Sequence, residues 1–233
     1  MGISKGGFGS GVGLLATPLV ALVVPLPQAA AIMLPILCVM DVAGLVAYRG
    51  RWMRERLGML LAGGIVGVGL GALAFNYVHE AMLRVGIGAF AIVFVAHRLL
   101  GARDAPALPH SVPSGLFWST VSGITSTLVH AGGPPLNVYL LPRRLDKAVF
   151  VGTTVVFFAV INLVKIGPYA GLGLFDATTL LTAAVLAPLA PVGIWLGVWI
   201  NKRMPQETFY RVCYTMLVVV GAKLLFDGVT GWK

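Results

Sequence analysis

The sequence predicts an all-α, polytopic membrane protein built as an inverted-topology repeat. Each half holds one broken, re-entrant segment rich in Gly and Pro, followed by three transmembrane helices. Of the 233 residues, 58% are apolar and only 11% charged, too little charge for a surface that faces water. Apolar runs of the roughly 20 residues needed to cross a hydrocarbon core about 30 Å thick recur along most of the chain. The two halves also resemble each other at an offset of 121 positions: Gly2-Ile3 falls on Gly123-Ile124, Ser4 on Thr125, Gly11 on Gly132, Asp41 on Asn162 and Tyr48 on Tyr169. With a slightly larger offset, Gly67 and Gly71 match Gly193 and Gly197, and Arg84-Val85 matches Arg211-Val212. An ordered series of this kind is the mark of a duplicated unit.

The first half is expected over 1–100, with a broken segment at 1–24 and helices at 28–48, 57–78 and 82–100. A polar, Pro-rich linker follows at 101–113, carrying Arg103, Asp104, Pro106, Pro109, His110 and Pro113. The second half is expected over 114–233, with a broken segment at 114–141 and helices at 148–165, 177–200 and 209–229. The broken segments are apolar, but Gly6, Gly7, Gly9, Gly11, Gly13 and Pro18 interrupt one, and Gly132, Gly133, Pro134 and Pro135 the other. Neither can run as one continuous helix. The composition excludes a secreted disulfide scaffold, a disordered chain and a soluble enzyme. Cys38 and Cys213 lie inside apolar runs and read as reduced packing residues.

Charge counting selects the topology. If all eight segments crossed fully, Lys and Arg would divide nine to seven between the two sides, which is no bias. If each broken segment dips in and returns, the division becomes twelve to four, with Arg84, Lys165, Lys223 and Lys233 outside and Lys5 uncounted inside its motif. Cytoplasmic loops carry the excess of Lys and Arg, so the second arrangement is predicted, with both termini outside. The net charge of +9 is thereby accounted for without nucleic acid.

Irregular backbone at membrane depth persists only where protein or a water-filled cavity satisfies its amides, so both breaks are expected to line a cavity. Half-helix N-termini there would aim N–H groups and positive dipole ends at one point, and Gly6, Gly7, Gly9, Gly132 and Gly133 would let backbone approach a ligand. Such a point favours an anion. Ser4, Thr125, Ser126 and Thr127 offer hydroxyls, although a hydroxyl in a membrane helix can equally bond its own i−4 carbonyl. Lys5 brings positive charge to this region or snorkels to a headgroup. Met1 stands four residues before it, so the stretch leading into the first break is very short or missing. Asp41 lies well inside an apolar span with Asn162 as its counterpart; it could pair with Lys5, orient a hydroxyl, carry a coupling proton or simply pack. His130 precedes the second break and suits ligand contact, proton handling or burial. His79 and His97 lie at span ends. No metal-ligand spacing is present, and no cofactor is expected.

Gly63, Gly67 and Gly71, and Gly193 with Gly197, read as smooth faces for close helix packing, within one chain or between two. The Gly-rich start lacks the spacing of a nucleotide-binding loop, and Pro18 argues against a signal peptide.

Ser4-Lys5-Gly6-Gly7-Phe8-Gly9 with Pro18, His130-Ala131-Gly132-Gly133-Pro134-Pro135 with Tyr139, Asp41, and the basic loop Tyr48-Arg49-Gly50-Arg51-Trp52 together resemble the TauE/SafE family of sulfite and organosulfonate exporters. The resemblance covers essentially the whole chain. It implies a carrier in the bacterial inner membrane, built from two related halves, with sulfite, sulfoacetate or other sulfonates as substrates. Members carry more apolar sequence ahead of the first motif. From the residues, the leading expectation is a secondary transporter of small oxyanions that rocks one half against the other, with proton or ion coupling possible. A passive anion channel is the alternative. An intramembrane enzyme using Ser4, His130 and Asp41 is a distant third, because no motif fixes their mutual distance. The partners expected are the bilayer and a small anion.

Overall fold

The computed structural model describes residues 1–9, 20, 24, 26–75, 77, 80–100 and 111–230. Gly11, Gly13, Pro18, His79, Lys233 and the linker residues Arg103, Asp104, Pro106, Pro109 and His110 lie outside the described residues, as does the side chain of His97. Among the described residues every regular element is helical. In chain order they are α1 (Gly2–Phe8), α2 (Leu26–Ala47), α3 (Arg54–Ala74), α4 (Glu80–Leu100), α5 (Val112–Val129), α6 (Gly133–Leu140), a 3-10 turn (Leu141–Arg143), α7 (Lys147–Gly171), α8 (Ala177–Leu186), α9 (Leu189–Arg203) and α10 (Gln206–Thr230). Helices α2, α3, α7 and α10 are long and apolar enough to cross a membrane, and the bent pair α8–α9 makes five. Within α4 the apolar stretch is shorter, Arg84–Ala96.

Two expectations change. The 177–200 span is not one helix: α8 and α9 meet at a 43° bend. Pro188 stands at the bend and Pro191 one turn beyond; each lacks an N–H and crowds the carbonyl four residues back, which breaks the ladder. The 148–165 span continues to Gly171, so Lys165, expected in a loop, lies inside α7 and is fully buried. The helix can continue because the Lys165 ammonium finds acceptors in the interior. Its removal from the loops turns the twelve-to-four division of charge into twelve to three.

Asp146 begins α7 by accepting hydrogen bonds from the backbone of Ala148 and Val149, and Asp176 with Thr179 forms a capping box on α8. These side chains satisfy amides that a helix start leaves without partners.

Glycine sets the closest helix contacts. Gly63 and Gly71 of α3 face Leu116 and Ile124 of α5, and Gly2 and Gly7 of α1 face Gly193 and Gly197 of α9. A Cβ at Gly67 would stand 2.9 Å from the Gly123 Cα, and one at Gly2 would stand 2.8 Å from the Gly193 Cα. No side chain fits at either place. Ascending register shows that α5 runs parallel to α3, and α1 parallel to α9.

The loops identify the two ends of the bundle. Met53 N–H donates to Thr153 Oγ1 (2.9 Å), Lys147 Nζ to the Asn201 carbonyl (2.6 Å), and Gln206 Nε2 to the Leu145 carbonyl (2.8 Å). These bonds gather Arg49, Arg51, Arg54, Arg143, Arg144, Lys147, Lys202 and Arg203 at one end. At the other, Tyr169 meets Phe75 and Phe175 with ring centroids 6.2 Å apart in each case. Because α3 starts at the basic end and α9 finishes there, α5 runs away from that end and α1 toward it. Helix α6 then doubles back along α5: Ser122 Oγ donates to the Gly132 carbonyl at 2.6 Å, and a Cβ at Gly115 would stand 3.1 Å from the Tyr139 ring.

Several contacts recur at the 121-residue offset. Tyr48 Oη donates to the Gly6 carbonyl (2.6 Å), and Tyr169 Oη to the Thr127 carbonyl (2.7 Å). Gly9 closes α1 in the left-handed region (φ 66°), and His130 closes α5 there (φ 52°).

Gly67→Leu should destabilise the protein by about 1–3 kcal/mol, the usual cost of overpacking, whereas Gly69→Leu on the same helix, with open space around it, should be neutral. Thermal unfolding in detergent of the two variants beside the wild type checks this; equal stability would remove α3–α5 contact as the reason for Gly67.

Candidate functional site

The interior charge begins with α1. Lys5 lies in its last turn, where a cation complements the helix dipole. Its Nζ stands 2.6 Å from Asp41 Oδ1, with both side chains about 4% exposed. It also donates to the Leu37 carbonyl at 3.4 Å, so Lys5 points inward and does not snorkel. Asp41 is held from a third helix, because Asn162 Nδ2 of α7 donates to its Oδ2 at 2.7 Å. The two polar residues at equivalent positions of α2 and α7 therefore meet each other directly.

A second cation stands nearby. Lys165 Nζ contacts the Ser126 carbonyl (3.1 Å), Ser126 Oγ (3.1 Å) and His130 Nδ1 (3.0 Å). His130 Nε2 lies 3.1 Å from the Ala30 carbonyl. A carbonyl can only accept, so Nε2 carries the ring hydrogen and Nδ1 receives one from Lys165. Two ring bonds thus hold a residue whose φ is positive, a backbone state that costs a non-glycine residue energy and is kept only when its surroundings enforce it.

Polarity at the breaks differs from expectation. What α1 and α5 bring inward are C-terminal ends, whose carbonyls need donors. Tyr48 supplies Gly6, Asn201 Nδ2 supplies Gly7 at 2.8 Å, Tyr169 supplies Thr127, and Lys165 supplies Ser126. The one described N-terminus at a break is that of α6, where Gly132 is the N-cap and Gly133 the first residue. Pro134 and Pro135 follow without N–H groups, so Gly133 alone among the first three positions has an amide to offer. Positive potential here comes from lysine side chains far more than from aimed amides.

A cavity opens between these groups, lined by Met1, Lys5, Leu37, Ser126, His130, Gly133, Phe158 and Asn162. Its volume is about 30 Å³, roughly twice what one water needs. Of the residues expected to bind a ligand, Lys5, Ser126, His130 and Gly133 line this cavity, with Asn162 beside them and Asp41 directly behind.

The others are placed differently. Thr125 Oγ1 donates to the Val121 carbonyl (2.9 Å) and Thr127 Oγ1 to the Gly123 carbonyl (2.9 Å), each inside its own helix. Gly6 and Gly7 press against Ile194 and Gly197, Gly9 against Thr154 and Phe150, and Gly132 against Phe158 and Ser126. Ser4 is buried on α1 without lining the cavity. Lys165 is the site residue that sequence reasoning missed. Its signal was present: it stands three residues after Asn162, hence on the same helix face. Cys38 and Cys213 are both free thiols. Among the described residues no three His, Cys, Asp or Glu side chains stand together as metal ligands would.

This arrangement of two buried lysines, one carboxylate and a small cavity between interrupted helices can be set beside known proteins. No solved structure matches the chain. A protein of Cupriavidus necator described as a probable sulfite/organosulfonate exporter TauE is 24% identical over 168 residues, covering 70% of this chain. The match spans 64% of that relative's length, less than two thirds. Residues 1–224 match the family described as sulfite exporter TauE/SafE, and the chain belongs to that family.

Proposed function

We propose that this protein is a secondary transporter that exports small sulfur oxyanions, such as sulfite, sulfoacetate or other organosulfonates, across the bacterial inner membrane. The observation that carries this is the charge count of the buried site: Lys5 lines the cavity, Lys165 stands behind its lining residues Ser126 and His130, and Asp41 is the one buried carboxylate among the described residues. With both lysines protonated, one positive charge has no counter-ion among the described residues. In a low-dielectric interior that is costly unless an anion completes the site. Lys5, Ser126, His130 and the Gly133 amide are the donors that would meet its oxygens, with Lys165 behind Ser126 and His130. Ser4, Gly6, Gly7, Gly9, Thr125, Thr127 and Gly132 would shape the two breaks, and Asp41 with Asn162 would hold Lys5 in place.

The contacts at the 121-residue offset and the opposed directions of α1 and α5 support two duplicated halves inserted in opposite senses. Basic loops gathered at one end support that end as cytoplasmic, with both termini outside. Alternating access would then be a rocking of one half on the other, with the cavity exposed to each face in turn. The doubled-back α6 carries two buried atoms that have no hydrogen-bond partner, Asn137 Oδ1 and Tyr139 Oη. Buried polar atoms of this kind are commonly met by water, and a wetted route along α6 would join the cavity to Arg143 at the basic end.

Proteoliposomes should show saturable flux of sulfite or sulfoacetate, reduced at least tenfold by Lys5→Ala and by His130→Asn, the latter chosen because Asn tolerates the left-handed backbone. Linear, non-saturating flux, or full activity in both variants, would overturn the proposed site. Lys5→Ala alone leaves the Asp41 carboxylate buried and unpaired, which should cost about 3–5 kcal/mol. The double variant Lys5→Ala with Asp41→Asn should recover most of that stability in detergent and still fail to bind. Reporter fusions after Lys202 should read as cytoplasmic and fusions at Gly173 as external; the reverse pattern would sink the assigned orientation.

A further inference from the structure

Among the buried charges, Lys165 differs from Lys5 in its company. Lys5 has a carboxylate at 2.6 Å. Lys165, fully buried in α7, touches only neutral acceptors among the described residues: a carbonyl, a hydroxyl and an imidazole nitrogen. Three contacts match the three hydrogens of an ammonium. They equally serve a neutral amine, with two hydrogens on the Ser126 carbonyl and His130 Nδ1 while the Ser126 hydroxyl turns to donate into the nitrogen lone pair. Only a proton separates the two states, and no side chain has to move.

Among the described residues, the charged and titratable groups that face Lys165 are Lys5 from α1, Asp41 and Cys38 from α2, and His130 at the end of α5. Asp41 is already committed to Lys5 and to Asn162. Tyr169, one turn along α7, is turned to the Thr127 carbonyl. The balance of charge around Lys165 therefore depends on what occupies the cavity lined by its own partners, Ser126 and His130. An anion there favours the ammonium, and an empty cavity beside Lys5 favours the amine.

We propose that Lys165 takes up one proton from water when an anion enters the cavity and returns it when the anion leaves, so that proton and anion move together. The inference rests on the transport function proposed above. It gives the coupling role to Lys165 in place of Asp41, which serves as the fixed partner of Lys5. The amine gains a proton from solvent, no bond to the anion forms, and the net charge moved per cycle is one less negative than the anion itself. His130 acts as a positioning residue, since its Nε2 hydrogen faces a carbonyl that cannot accept a proton in exchange.

The test is isothermal calorimetry of the purified protein in detergent with sulfoacetate, whose acidic groups are both ionised near neutrality. Titrations run between about pH 6 and 9 in buffers of differing ionisation enthalpy, so that the slope of binding heat against ionisation heat counts protons. The expected slope is about one proton taken up per anion in the alkaline part of that range. Lys165→Arg, which stays charged throughout, should bind with no uptake. Binding without proton uptake in the wild type overturns this inference and leaves the transport function standing. Uptake that survives in Lys165→Arg assigns the proton to another group and also overturns it. No binding of sulfoacetate, methanesulfonate or sulfite overturns both.

Discussion

The structure turns on the burial of cationic charge among helices, with the Lys5–Asp41 pair at its centre. An ion pair at 2.6 Å with both partners out of reach of water is tolerated only if its remaining lone pairs and hydrogens are met. Asn162 meets one from α7 and the Leu37 carbonyl another from α2. Three segments far apart in sequence, α1, α2 and α7, are thereby tied at one point. Any motion that separates them must either keep this cluster whole or find new partners for each member, which restricts the movements open to the bundle.

Glycine makes that cluster reachable. A seven-residue helix such as α1 has little packing surface of its own and is marginal in isolation. It is held because Gly2, Gly6 and Gly7 let its backbone sit directly on α9, with no side chain between. The same device seats α5 on α3. In a membrane, where lipid offers no hydrophobic drive between helices, close backbone approach and interhelical hydrogen bonds carry the association, and Tyr48 and Tyr169 add one such bond each to the carbonyls near the breaks. A broken helix is thus stabilised by what lies against it more than by its own turns.

Much of this was legible beforehand because membrane burial writes itself into composition. Runs without charge mark helices, and Gly-Pro clusters mark interruptions. A lone Asp in such a run was a visible oddity, and its alignment with Asn162 foretold a relation that the 2.7 Å bond expresses. Lys165 escaped because a lysine at the end of an apolar window looks like a loop residue; hydropathy counts the charge and cannot see Ser126 and His130 waiting 35 to 39 positions away. The polarity of the breaks escaped for a related reason. Gly and Pro say where a helix stops, but not which of its ends reaches the interior, and only the left-handed closures at Gly9 and His130 decide that C-termini do. The bend at Pro188 was hidden by apolar residues on both sides, which kept the window continuous.

Positions 121 residues apart share tyrosine–carbonyl bonds and left-handed helix closures but differ in charge. At the 121-residue offset Asp41 answers to Asn162, Lys5 to Ser126, Gly9 to His130 and Gly44 to Lys165. Had both members of the first pair been Asp, each lysine would have its own carboxylate and the cavity would be neutral; had both been Asn, two buried ammoniums would repel with nothing between them. Asn at one position keeps the hydrogen bond and omits the charge, which leaves the site one positive charge in excess whenever Lys165 is protonated. His130 in place of glycine closes its helix at some cost in backbone strain, yet supplies the nitrogen that faces Lys165. These four differences between positions 121 residues apart account for the sign of the cavity.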